Sequence, residues 1–171
     1  MEVQVQHSRI ASATTEKTQA VKVGVMPLFS TWVYLCENGP AHLNSSLEQL
    51  TYRLMEHPEN ATRRANAGGW HYAFDFFELD EPVVAEFRAH MELHVQAYLD
   101  HFRREENKKK DRFRLQGWIN VNRSGDSNLL HCHPGCFVSA VYYVKGPAAM
   151  RGGEFEGAGD RISIAFNATN P

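Results

Sequence analysis

Residues 117–145 read GWINVNRSGDSNLLHCHPGCFVSAVYYVK, and this stretch decides the fold. Trp118, Asn120 and Asn122 alternate with Ile119 and Val121, the two-residue period of a half-buried strand. Gly125, inside SGDSN, supplies a turn. Cys136 to Lys145 is rich in β-branched and aromatic residues and predicts a second strand. Between the strands stand His131, Cys132 and His133. Read as a strand continuing from LLHCH, the two histidines share a face and their imidazoles can converge on one metal ion. Imidazole suits Fe, Zn, Cu and Ni, so the pair does not name the metal. The same alternation turns Cys132 away, behind the site.

Outward toward the C-terminus, a glycine-rich link over 146–160 leads to RISIAFN at 161–167. Arg161 and Ser163 share a face of that strand, while Ile162, Ile164 and Phe166 share the other. A guanidinium fork beside a hydroxyl is a receptor for a carboxylate. The alternation makes Trp118, Asn120, Asn122 and Tyr143 candidates to line a cavity, Tyr143 on a face with Ser139 and Val141.

Outward toward the N-terminus, the pattern is helical. His42 to His57 predicts one helix, with Leu47, Leu50 and Leu54 on one face, Asn44 and Ser45 as caps and Pro58 as the stop. Gly68 and Gly69 permit a tight turn before Trp70. Pro82 opens a second helix whose buried face is Val84, Phe87, Met91, Val95, Tyr98 and Phe102. The charged run RREENKKKDR ends it as a solvated turn. VKVGVMPLFSTWVYLCE, residues 21–37, predicts a strand broken at Pro27, and residues 1–22 a flexible lead. Residues 23–171 then form a single mainly β domain, helices packed against a β-rich C-terminal half.

Composition sets outer limits. The chain has 171 residues, 43% of them apolar, enough for one core. A net charge of −2 argues against general nucleic-acid binding. No apolar run approaches the ~20 residues of a membrane span, and the N-terminus has no signal-peptide core, so the expected location is cytoplasmic, with no membrane partner. Exposed strand edges make a homodimer reasonable. Three cysteines without a CxxC spacing read as reduced thiols.

Taken together, WINVNRSGDSN, HCHPGCFVSAVYYV and GDRISIAFN resemble the iron(II)- and 2-oxoglutarate-dependent oxygenases. The nearest likeness is a bacterial subfamily with HxHP, then SGVYYV, then a closing RISIAFN strand. MPLFSTWVY at 26–34 and GGW at 68–70 add to it. The resemblance implies a double-stranded β-helix (jelly roll) flanked by N-terminal helices. It implies Fe(II) on His131 and His133, and 2-oxoglutarate held by Arg161 and Ser163. It also implies molecular oxygen as co-substrate and a small molecule hydroxylated at carbon. His133 stands where the larger superfamily has Asp or Glu, and none of the nine histidines follows it. Only 27 residues lie between His133 and Arg161, so the RGGE–FEGAGDR junction at 154–155 reads as two ends joined across an absent segment. Asp126 is a nearby carboxylate for a third ligand.

Other readings use the same residues. Gly125, five residues and then HxH match the start of a cupin metal motif, but Phe137, Val138 and Ser139 stand where its Glu belongs. His90-Met-Glu-Leu-His94 lacks the Glu directly after the first His that a zincin needs. Cys136 beside His133 is a conceivable nucleophile pair. A degenerate, non-catalytic β-sandwich binding protein is the remaining class.

Overall fold

In the computed structural model, residues 32–37, 39–101, 111–146 and 159–171 are described. The expected lead at 1–22, most of the 21–37 strand, Phe102, nearly all of the charged run, most of the 146–160 link and the 154–155 junction lie outside them. The chain divides into two units, Met1–Leu35 and Cys36–Pro171. Trp32–Glu37 form no strand, a correction to the sequence expectation: the described part of that run enters no ladder. Every element below belongs to the second unit.

Among the described residues, two α-helices and antiparallel sheets make a mixed α/β architecture. A 3₁₀ turn, Ala41–Leu43, leads into α1, Asn44–Met55. Leu47 and Leu50 are buried on its inner face, and Glu56–His57 close it before Pro58. The predicted caps are corrected: neither Asn44 nor Ser45 caps the helix, because the 3₁₀ turn already supplies the start. Asn44 Oδ1 instead accepts the Tyr142 hydroxyl at 2.6 Å, tying α1 to the sheet. Burial pushes the Tyr142 phenol above its ordinary pKa. The second helix, α2 at Pro82–His101, buries Val84, Phe87, Met91 and Val95 as its periodicity predicts.

The main sheet has four strands in the order β2-β3-β6-β5. They are β2 at Trp70–His71, β3 at Arg114–Asn122, β5 at Cys136–Lys145 and β6 at Arg161–Thr169. A separate ribbon pairs β1, Asn66–Ala67, with β4, Ser127–Asn128. The described residues thus contain one four-stranded sheet and one short ribbon.

The central strand β6 organises both faces. Ile162, Ile164, Phe166 and Ala168 face the helices and are buried together with Ile119, Val121 and Phe87. The Phe87 ring meets Tyr142 at 5.1 Å and stacks on Phe77 at 6.2 Å, and Phe77 meets Phe166 at 5.9 Å. Gly117 makes this contact feasible: a Cβ there would stand 2.8 Å from Phe77 and 3.1 Å from the Ala165 carbonyl oxygen. Asp75 fixes the Phe77 turn by accepting the backbone N–H of Phe77 at 3.1 Å and of Gly117 at 2.9 Å.

Before β2 the Gly68–Gly69 turn is glycine by necessity. Both residues have positive φ, 75° and 65°. A Cβ on Gly68 would meet Asp126 Oδ1 at 2.0 Å, and one on Gly69 would meet the Val121 carbonyl at 2.7 Å.

Candidate active site

Antiparallel register carries each sequence neighbour pattern across the sheet. His71 on β2 pairs with Asn120, Asn120 with Ser163, and Ser163 with Tyr143. The next row on the same face is Trp118, Ala165 and Val141, and the next is Gln116, Asn167 and Ser139. All of these residues but Asn167 line a cavity of about 770 Å³ on the sheet face opposite α2.

The cavity gathers most of the residues singled out in the sequence. His131, His133, Arg161, Ser163, Trp118, Asn120 and Tyr143 all line it. Asn122 does not. It keeps the strand's alternation, opposite Arg161, but it is 1% exposed and lies beside the glycine turn, where a Cβ on Gly69 would stand 3.6 Å from its Cγ. Asp126 is also outside the lining. Its carboxylate accepts the Arg123 backbone N–H at 2.8 Å and packs beside Gly68, so it is committed to the turn.

The histidine segment is not a strand. Residues 129–135 are irregular between β4 and β5, which corrects the alternation argument. His131 Nδ1 donates to the Leu129 carbonyl at 2.6 Å, and Cys136 Sγ donates to the His133 carbonyl at 3.1 Å. These local bonds fold the segment back instead of extending it. The imidazoles converge all the same, with ring centroids 4.6 Å apart and planes at 70°. Cys132, expected behind the site, is exposed and lines the cavity, because strand alternation does not apply to this loop.

Sequence reasoning missed His71. It is buried on β2, lines the same cavity and lies 6.0 Å from Trp118, whose other contact is the His133 ring at 5.4 Å. Its signal was the GGW turn: residue 71 follows directly and inherits the pairing with Asn120.

All three cavity histidines commit Nδ1 to a hydrogen bond. His71 Nδ1 pairs with Asn120 Oδ1 at 2.8 Å, which makes it the donor and leaves Nε2 with its lone pair. The Leu129 carbonyl does the same for His131. His133 Nδ1 lies 3.3 Å from the Asn167 amide, whose Oδ1 is buried without a partner. Turning that amide by half a turn would present Oδ1 to Nδ1–H. Burial, and then the charge of His131, lowers the His133 pKa. Burial lowers that of His71 against the opposing Asn120 bond, with Arg64 and His131 adding to it. Both imidazoles are therefore neutral at pH 7, the state in which they ligate metals.

The cavity's fixed charges are mainly positive. Arg161 is 4% exposed and Ser163 3%. Arg64 also lines the space. The lining carboxylate is Asp75, engaged with two backbone amides and 3.6 Å from Arg114. The site suits an anionic small molecule beside a set of neutral imidazoles.

A comparison with protein families matches residues 116–157 to the one described as "Putative 2OG-Fe(II) oxygenase". The match spans about a quarter of the chain: β3, the histidine segment and β5. It supports the 2OG-Fe(II) oxygenase family for this chain, and it ends before Arg161 and Ser163. No curated protein and no solved structure matches the chain. Among the described residues, no helix is long and apolar enough to cross a membrane.

Proposed function

We infer that the chain is an iron(II)- and 2-oxoglutarate-dependent dioxygenase that hydroxylates a small molecule in the cavity on the β3-β6-β5 face. The observation that carries this reading is convergence: His131, His133, Arg161 and Ser163 line one space although they come from two distant segments. Only the first two lie within the family match, so β6 adds independent support.

Imidazole is a donor type that suits iron(II), although the ligand atoms of the three cavity histidines do not all lie within 4.8 Å of one another. His131 and His133 would hold it through Nε2, with His71 as the third imidazole on the same cavity. The hydrogen bonds at each Nδ1 orient the rings in the way outer partners of metal-bound histidines do. A histidine set in place of a carboxylate leaves the centre one unit more positive, which favours a dianionic co-substrate. Iron(II) supplies the oxygen chemistry that no side chain here can supply.

The chain's own residues bind and orient. Arg161 receives the distal carboxylate of 2-oxoglutarate as a bidentate fork, and the Ser163 hydroxyl donates to the same group. Trp118 stacks on His133 and holds its ring plane. Asn120 sets the His71 tautomer. Tyr143, 44% exposed, stands at the rim and presents its hydroxyl to the substrate. The double-stranded β-helix (jelly roll) of such oxygenases belongs to the same proposal. The cupin alternative has no second histidine motif to support it.

Anaerobic calorimetry tests the reading. Iron(II) should bind stoichiometrically, and 2-oxoglutarate should bind to the iron-loaded protein. His131→Ala should abolish iron binding. Stoichiometric iron in that variant would sink the assignment, and absence of both ligands in the parent would favour a binding protein.

A further inference from the structure

A second group of metal-ligating side chains lies on the other side of the sheet. His42, in the 3₁₀ turn before α1, meets Glu86 and His90 on α2. One ligand atom from each of the three lies within 4.8 Å of the others. Among the described residues this is the one such trio, tighter than the cavity histidines. His42 Nε2 is 2.9 Å from Glu86 Oε1, and the His42 and His90 rings meet at 5.8 Å in an edge contact.

The trio follows from the local fold. Glu86 and His90 are four residues apart, so they stand one above the other on one helix face. Their neighbours Phe87 and Met91 are buried, at 0% and 5%, and fix the helix against the core. Leu43, 5% exposed, does the same for the turn that carries His42. The backbones are therefore rigid, while the His42 and Glu86 side chains are 61% and 54% exposed and free to adjust. The four-residue spacing continues to His94, whose Nε2 lies 3.7 Å from Cys36 Sγ, so the stripe of donors extends a further turn.

We propose that His42, Glu86 and His90 form a binding site for a divalent transition ion of the zinc class. Two imidazoles and one carboxylate are a zinc donor set that leaves the fourth tetrahedral position to water. With ligands about 2.0–2.2 Å from the ion, tetrahedral donors stand about 3.4 Å apart. The His42–Glu86 distance is already shorter, and the remaining closure is within the reach of rotating side chains. The ion takes the place of the hydrogen between His42 Nε2 and Glu86 Oε1: a neutral imidazole carries its proton on Nδ1 instead, and an imidazolium also gives one up to solvent. The site lies on the helix layer, across the sheet from the cavity, and does not depend on the oxygenase reading.

The test uses Zn²⁺ as the probe on the full chain carrying His131→Ala and His133→Ala, which removes the cavity pair. One equivalent of Zn²⁺ should bind by calorimetry and shift the imidazole proton resonances of His42 and His90. Adding Glu86→Gln, near-isosteric at an exposed position, or His42→Ala should weaken binding by about 100-fold or more. Unchanged affinity in those variants, or no binding in the cavity-pair variant, would overturn the proposal. Circular dichroism checks that each variant is folded, and Glu86→Gln keeps the test valid should a histidine variant unfold. Failure of iron binding in the parent chain would count against the cavity reading alone.

Discussion

The two faces of β6 show how one strand serves two purposes. Toward the helices it presents Ile162, Ile164, Phe166 and Ala168, packed among Phe77, Phe87 and Ile119 with at most 3% exposure. Toward the cavity it presents Arg161, Ser163 and Ala165, beside Asn120, Tyr143 and three imidazoles. The first face holds the sheet in place by close packing. The second puts polar groups at spacings that the register fixes. Under the proposed function, stability and ligand binding fall to alternate residues of one strand, so substitutions on the two faces should fail in different ways.

The largest effect belongs to the packed face. Phe87→Ala deletes a fully buried ring that contacts Phe76, Phe77 and Tyr142. It should cost about 3–5 kcal/mol, measured by urea denaturation. A loss below about 1 kcal/mol would mean that the helix layer does not support the sheet. On the other face, Arg161→Leu removes the buried guanidinium that lines the cavity. Its cost should appear in 2-oxoglutarate affinity, about 3 kcal/mol or roughly 100-fold, read by calorimetry. An unchanged affinity would move the carboxylate receptor away from β6.

A smaller effect tests how tightly the two faces are coupled. Gly117→Ala places a methyl group against Phe77 and against the Ala165 carbonyl. Backbone geometry permits alanine there, so the cost is steric, about 1–3 kcal/mol. Combining it with Phe77→Leu should recover part of that loss, because the ring is what the methyl group meets. Full additivity of the two changes would show that they do not share the contact.

How much of this was legible depended on periodicity. The faces of β3, β5 and β6 followed from the two-residue alternation, and the buried stripe of α2 from its 3.6-residue period. Gly68 and Gly69 announced their turn. The histidine segment was misread as a strand because its conformation is set by side-chain bonds to Leu129 and His133 carbonyls, which no period reveals. His71 was invisible for a related reason. A two-residue strand has too few positions to show alternation, and only its pairing with Asn120 places it on the cavity. The trio on the helix layer needed tertiary contact as well: Glu86 and His90 share a visible spacing, but His42 joins them from across the α1–α2 junction.

The smallest expected effect concerns pH and falls on the cavity face. Burial holds His71 and His133 below the ordinary histidine pKa of about 6.5 in the folded protein. In the unfolded chain each regains that ordinary value, so below it the unfolded state binds more protons than the folded one. Stability from these groups is then present above about pH 6.5 and is lost as the pH falls toward the depressed folded values. Denaturant midpoints recorded from pH 7.5 to 5 should decline, and His71→Gln should flatten the decline while keeping a hydrogen-bonding amide beside Asn120. Saturating metal should also oppose it, because ligation holds the imidazoles unprotonated. An equally steep decline in His71→Gln would assign the acid sensitivity to groups other than His71, and the burial of that side chain would then carry no proton-linked cost.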